Sequence, residues 1–333
     1  MKSCFVELTD IGRSHLNEEE ISERELADNE ALVKADYSMI SAGTELSRAF
    51  ALKKGFQYPV RPGYSLTGTV LAKGKKIRAE VGDKVFVNAT HASLVRHSDG
   101  DLIQGPWIMK LPDDIDLKEA TALNLLLVAI QGVNLTEVKL GYTAGVYGLG
   151  NIGIMTALLY QKLGCQVIGF DPVEERCRLA EQMGVQYTAA NAAKEKISDL
   201  TQGNGLDIAV DVTGFSSVVM DCIDKVRAYG QVLLLGSPRE SYECDITAAF
   251  RQIHMKDLKV LGGFNRNQPV HPKDGSIDSL ENNFRIACDL IKTKQIDVSR
   301  LISRVIDPKD CQQAYQDLMD HKANCIIYDW RSY

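Results

Sequence analysis

Closely spaced cysteines are missing from this chain. Its eight cysteines, Cys4, Cys165, Cys177, Cys222, Cys244, Cys288, Cys311 and Cys325, are scattered, and no two form a C-x-x-C. Isolated cysteines inside helix- and strand-like runs act as small hydrophobes, so a reduced, cytoplasmic setting is expected. Long apolar runs are also missing. The greasiest, around Leu123–Ile130, is too short to span a bilayer, and Met1-Lys2-Ser3-Cys4 holds no apolar signal core. No basic stripe breaks a net charge of −6, which argues against nucleic acid as a partner. Neither an internal repeat nor a low-complexity tract is present. What remains is a chain of 333 residues, 45% hydrophobic and 25% charged, enough for two domains with their own cores.

The most informative stretch runs from Thr143 to Asp171. An apolar run, Ala144–Tyr147, has the length and β-branching of a buried strand. Gly148-Leu149-Gly150-Asn151-Ile152-Gly153 follows as a G-x-G-x-x-G, then helical spacing over Ile152–Leu163, then a second apolar run, Val167–Phe170, ending at Asp171. In such a unit the first glycine makes the tight turn, the second lets a pyrophosphate reach the backbone, and the third packs helix against sheet. The acid at the end of the second strand accepts hydrogen bonds from a ribose and repels a 2′-phosphate. The pattern therefore predicts a dinucleotide site that takes NAD in preference to NADP.

Before Asp116 the chain reads as β-rich, with strand-like runs at Ala31–Tyr37, Ser65–Leu71 and Lys84–Asn88. A small, partly closed barrel is expected there. Leu117–Val133 reads as one helix. Strand and helix then alternate: Glu174–Met183 helical, Leu206–Val212 a strand, Ser216–Ala228 a helix capped by Ser216, Gln231–Leu235 and Leu258–Leu261 strands. Gln268–Asp274 reads as a polar loop, Asp278–Lys292 and Pro308–Met319 as helices, and Cys325–Trp330 as a last strand that returns to the first domain. The fold expected is α/β, with a doubly wound parallel sheet beside the barrel. Thr213, Gly214, Leu235, Gly236 and Ser237, at strand ends on the carboxyl edge, are candidates for coenzyme contact, with Gly263 and Phe264 behind them. Arg176 reads equally as an adenine contact or as part of a solvated helix face. His15, His97, His254, His271 and His321 read as surface residues.

The order of parts resembles the medium-chain dehydrogenase/reductase superfamily, the family of alcohol and polyol dehydrogenases. The matching landmarks are Ser41-Ala42-Gly43-Thr44-Glu45, Arg61-Pro62-Gly63-Tyr64, Val81-Gly82-Asp83-Lys84-Val85, the glycine motif, Asp171 and Asp211-Val212-Thr213-Gly214. The resemblance implies a GroES-like domain over residues 1–120 and 266–333, a Rossmann domain over 121–265, and a homodimer joined near Asp257–Gly263. It also exposes a departure. Where zinc-dependent relatives carry a C-G-T-D thiolate, a G-H-E imidazole and an E-P-L carboxylate, this chain has Ala42, Tyr64-Ser65 and Asn124. The four closely spaced cysteines that hold a structural zinc in those relatives have no counterpart here either, and zinc needs Cys, His or carboxylate donors, so no zinc is expected at either family site. A site rebuilt from Glu45 and His91 is the less favoured reading; a histidine on a barrel strand without a ligand role is preferred.

Without a metal, a side chain must handle the hydroxyl proton. Thr44, Glu45 and Tyr64 are the candidates for that chemistry. Ser65, His91 and Asn124 could complete a polar set that grips a hydroxylated substrate. The leading expectation is a zinc-independent, NAD-dependent dehydrogenase of a secondary alcohol, with a sugar, glycoside or cyclitol favoured. The alternatives are a zinc-less quinone- or enoyl-type reductase using NAD(P)H, and an NAD-binding protein without catalysis.

Overall fold

The computed structural model describes residues 1–333 except 23, 53–54, 103–104, 193, 265–267, 273–278 and the side chain of residue 194. In chain order the first elements are β1 (Lys2–Asp10), β2 (Arg13–Glu20), β3 (Glu30–Met39), α1 (Ala42–Ala49), β4 (Leu66–Lys73), β5 (Lys84–Val87), β6 (Leu94–Ser98) and β7 (Ile108–Lys110). Next come α2 (Leu117–Ala120), α3 (Leu123–Asn134), β8 (Thr143–Tyr147), α4 (Asn151–Lys162), β9 (Gln166–Phe170), α5 (Glu174–Gln182), β10 (Tyr187–Ala189), α6 (Lys194–Thr201), β11 (Leu206–Asp211), α7 (Ser216–Lys225), β12 (Val226–Leu234), α8 (Ile246–Lys256) and β13 (Lys259–Gly262). The chain ends with α9 (Leu280–Lys292), β14 (Arg304–Ile306), α10 (Cys311–Met319) and β15 (Ile326–Asp329).

Two compact units result, Met1–Leu127 with Arg266–Tyr333, and Val128–Asn265. In the first, a seven-stranded sheet runs β14-β15-β3-β4-β5-β7, with β6 also paired to β3. β15 lies antiparallel to β3, Ile327 opposite Met39, so the C-terminal segment is built into the same sheet as the N-terminal strands. Val33, Ala35, Leu66, Val85 and Val87 from the sheet share one core with Tyr315 and Leu318 of α10 and with Tyr328 and Trp330 at the C-terminal end. The β1–β2 hairpin has no counterpart in the strand-like runs read from sequence, because β2 is Arg-Ser-His-Leu-Asn-Glu-Glu-Glu and shows almost no apolar alternation.

In the second unit six strands lie parallel in the order β10-β9-β8-β11-β12-β13. This is the doubly wound order that changes direction beside β8 and opens a crevice at the carboxyl ends of β8 and β11. β8 is buried along its whole length, as an apolar strand covered on both faces must be.

Several local readings need correction. The stretch read as one helix over Leu117–Val133 breaks between Ala120 and Leu123, where Thr121 turns its hydroxyl back onto the Lys118 carbonyl. Ser216 does not cap α7. Phe215 occupies the cap position, and its N–H is taken by Thr213 Oγ1 at 3.0 Å. Residues after Lys225 enter β12 instead of extending the helix. Asp278, the expected start of α9, lies outside the described residues, and Ser279 caps that helix by accepting from Asn282 N–H.

Candidate functional site

In the second unit the glycine turn is fixed by sterics. Gly148 has φ +95°, a region side chains resist, and a Cβ there would meet Thr213 Cγ2 at 2.8 Å. A Cβ on Gly153 would lie 1.8 Å from the Gly148 carbonyl oxygen, so α4 can approach the turn only without one. Gly150, at the cap position of α4, is different. Nothing lies within 4 Å of where its Cβ would be, and it offers no side chain to cap the helix. That is a cradle open to an anion at a helix start.

Asp171 is 2% exposed and holds this turn from the next strand. Its Oδ2 accepts the Leu149 N–H at 2.9 Å and its Oδ1 accepts the Val173 N–H at 2.9 Å. Arg176 Nη1 lies 3.4 Å from Oδ2, so its guanidinium is directed at this carboxylate. Leu149 is buried against Gly169, and its N–H is spent on Asp171. Its expected contact with coenzyme through either group is thus corrected. Asn151 and Ile152 open α4 beside Gly150.

Asp211, at the end of β11, organises the neighbouring turns; the sequence marked it only as part of a family landmark, with no role of its own. Its Oδ1 accepts from Thr213 N–H at 2.8 Å and from Thr213 Oγ1 at 2.6 Å, and Oδ2 accepts Gly214 N–H at 3.1 Å. Its carbonyl takes the N–H groups of Leu235 and Gly236. Burial pushes the Asp211 carboxyl up, and the Thr213 and Gly214 donors and Arg239 oppose the shift. The signal was there to read: an Asp two residues before Thr-Gly at a strand end is an Asx-turn pattern. Gly214 has φ +75°, and a Cβ on it would lie 2.0 Å from the Ser237 carbonyl, which locks the two turns together. Ser237 itself is exposed. Gly263 donates to the Leu234 carbonyl, and Phe264 is exposed.

In the first unit α1 carries Thr44 on its open side. The Tyr64 hydroxyl donates to Ser41 Oγ and stands 3.3 Å from Thr44 Oγ1, so three hydroxyls meet where α1 begins. Thr44 is exposed and Tyr64 half-buried. Burial pushes the Tyr64 phenol up, while Ser41, Thr44 and the charge of Arg48 oppose it and Glu45 reinforces it. Gly63 precedes Tyr64 with φ +103°, and a Cβ there would strike His91 N at 2.7 Å. Asn124 donates to the Tyr64 carbonyl at 3.2 Å and so secures the backbone of that tyrosine.

Glu45, His91 and Ser65 correct the expectation that they face a substrate. Glu45 is 1% and His91 0% exposed. Glu45 Oε1 accepts the Ser41 N–H at 2.7 Å, closing the first turn of α1, and Oε2 accepts from Tyr315 Oη at 2.7 Å and lies 2.9 Å from His91 Nε2. His91 Nδ1 is 2.8 Å from Ser38 Oγ, which also accepts the Trp330 indole N–H at 2.8 Å. All four heteroatoms of the acid and the imidazole are engaged, and burial drives the Tyr315 phenol well up. Ser65 is spent on the Thr121 carbonyl at 2.7 Å. His97 and His271 also leave the surface set: His97 Nε2 is 2.9 Å from Asn88 Oδ1, and His271 Nδ1 is 2.6 Å from Glu281.

Among the described residues no group of three or more His, Cys, Asp or Glu is arranged to hold a metal ion, and no helix is long and apolar enough to cross a membrane. All eight cysteines are free.

Residues 151–277 match the family model for zinc-binding dehydrogenases. An uncharacterised zinc-type alcohol dehydrogenase-like protein from Haemophilus influenzae is 23% identical over 337 residues, 92% of this chain and 93% of that one. L-Threonine 3-dehydrogenase of Aeromonas salmonicida is 25% identical over 339 residues, with 92% and 93% covered. Among solved structures, galactitol-1-phosphate dehydrogenase from Escherichia coli superposes with a TM-score of 0.83 at 18% identity, over 99% of this chain and 100% of that one. The chain is thus similar in one segment to that family model and along most of its length to zinc-type alcohol dehydrogenase-like proteins, and it shares the fold of the solved dehydrogenase.

Proposed function

We propose that this protein is an oxidoreductase that interconverts a secondary alcohol and its ketone with NAD, using hydroxyl groups and no zinc. The observation that carries the reading is the glycine turn tied to Asp171. An open cradle at Gly150 sits beside a carboxylate that anchors Leu149 and Val173, meets Arg176, and keeps acceptor capacity on Oδ1 for a ribose hydroxyl. Gly148, Gly150, Gly153 and Asp171 would hold the coenzyme, with Asn151 and Ile152 at the helix start and Thr213, Gly214, Gly236 and Ser237 along the strand ends. When bound, the coenzyme supplies the hydride acceptor or donor. The relatives' names, which specify dehydrogenation of small hydroxylated compounds, are in keeping with a sugar, glycoside or cyclitol substrate.

The chain's own work in this reading falls to Tyr64. A phenol pushed up by burial keeps its proton at neutral pH and donates it to a ketone oxygen. In the other direction the phenol passes its own proton through Thr44, at the exposed end of the hydroxyl cluster, to water as it takes the alcohol proton. Glu45 and His91 support the backbone of α1 instead of reacting. Zinc does not suit the donor chemistry: Ala42, Tyr64, Ser65 and Asn124 stand where a thiolate, an imidazole and a carboxylate would be needed. A homodimer across β13 is part of the reading. It draws support from an edge strand with Val260 40% exposed, followed by Phe264, 65% exposed.

Fluorescence titration of the purified protein with NADH and NADPH tests the coenzyme assignment. NADH is expected to bind at least about tenfold more tightly, and Asp171→Asn to erase that preference. Tighter binding of NADPH would instead favour the reductase alternative, and saturable NADH binding with no turnover on any polyol or sugar would favour a coenzyme-binding protein without catalysis.

A further inference from the structure

α1 presents more than Thr44 on its open side. Residues four apart on a helix share a face, so Arg48 stands one turn below Thr44. Glu45, Leu46, Ser47 and Ala49 are buried. Arg48 is half-buried, and its guanidinium makes no ion pair or hydrogen bond with any described residue, while its carbonyl accepts from the Tyr58 hydroxyl and the Ala51 N–H; its charge acts on the Tyr64 phenol. Most cations in this unit behave otherwise. Arg61, Arg96, Lys84 and Lys110 each hold a carboxylate. An unpaired guanidinium on the helix face of Thr44, close to three clustered hydroxyls, forms a receptor for an oxyanion on a hydroxylated molecule.

We propose that Arg48 receives a phosphate or carboxylate group of the substrate, and that the hydroxyl to be oxidised meets the Ser41–Thr44–Tyr64 cluster. The protein's substrates are therefore anionic polyols or sugar derivatives, with neutral sugars poorer. This rests on the alcohol–ketone reading for its chemistry but not for its binding step.

The test uses sorbitol, sorbitol 6-phosphate and gluconate as a neutral, phosphorylated and carboxylated series on the whole chain. Binding is measured by titration calorimetry and turnover with NAD. Wild-type protein is expected to bind at least one of the two anions more tightly than sorbitol, and which one identifies the oxyanion. Arg48→Gln should lower the anion-to-neutral ratio at least about tenfold, through binding and KM more than kcat. Arg48→Lys, which keeps the charge, should retain most of the preference; it also serves if the glutamine variant does not fold. Equal binding of all three compounds by wild-type protein, or equal losses for neutral and anionic compounds in Arg48→Gln, overturns the proposal. Charge-dependent binding without turnover would uphold the receptor and count against the hydride-transfer reading instead.

Discussion

Tyr64 faces two ways, its backbone held by Asn124 and its hydroxyl shared with Ser41 and near Thr44. A proton donor in that position is worth about 10²–10⁴-fold in rate. Tyr64→Phe is therefore expected to lower kcat for ketone reduction by that range while NADH binding stays intact, as stopped-flow and fluorescence titration would measure. Because burial raises the phenol, wild-type reduction should hold its rate through the ordinary tyrosine range near pH 10 and fall only above it. A fall centred near pH 7 would point to a different acid. Thr44 and Tyr64 were legible in the sequence because they fill positions that resemblance marks out. The burial of Glu45 and His91 was not legible, because a polar side chain carries no sign of it. Their partners Tyr315 and Ser38 lie 270 and 53 residues away, beyond the reach of any local pattern.

α1 depends on that buried pair for its shape. Glu45 reaches back to the Ser41 N–H and across to Tyr315 of α10 and His91, so one carboxylate ties the helix start to the C-terminal part of the sheet domain. Removing one partner of a buried, fully bonded pair costs about 3–5 kcal/mol. Glu45→Ala should lower the thermal midpoint of this unit by roughly 10 °C, measured by calorimetry. A change of only a degree or two would mean that the pair is not holding the helix. Elements with regular periods were readable: β8, β9 and β11 as apolar runs, α4 and α5 between them. α8 was missed although Ile246, Ala249, Phe250 and Ile253 recur there at helical spacing.

For the whole molecule, strand order and pH response both follow from what is buried. The alternation after Thr143 was enough to expect a parallel sheet, since a strand, helix, strand unit winds only one way. The closing of β15 onto β3 was expected only as a return to the first domain, and its register had no sequence signal. His97, paired with Asn88, is held neutral: burial pushes it down from 6.5 to about 4, with Trp107 opposing. The unfolded chain takes up that proton first, so the stability His97 contributes is complete above pH 6.5 and is lost as pH falls toward about 4. Denaturant melts between pH 7 and 4 should lose on the order of 2 kcal/mol that His97→Gln no longer loses. An identical pH dependence in the variant would remove His97 from the balance.

The central claim, a dinucleotide enzyme that moves the hydroxyl proton with side chains alone, is tested most directly by turnover of chelator-treated protein whose metal content is measured on the same sample. Full NAD-linked oxidation of the anionic polyol series at well under one zinc per subunit is the predicted result. Activity that vanishes with the metal and returns on adding one zinc per subunit would contradict it.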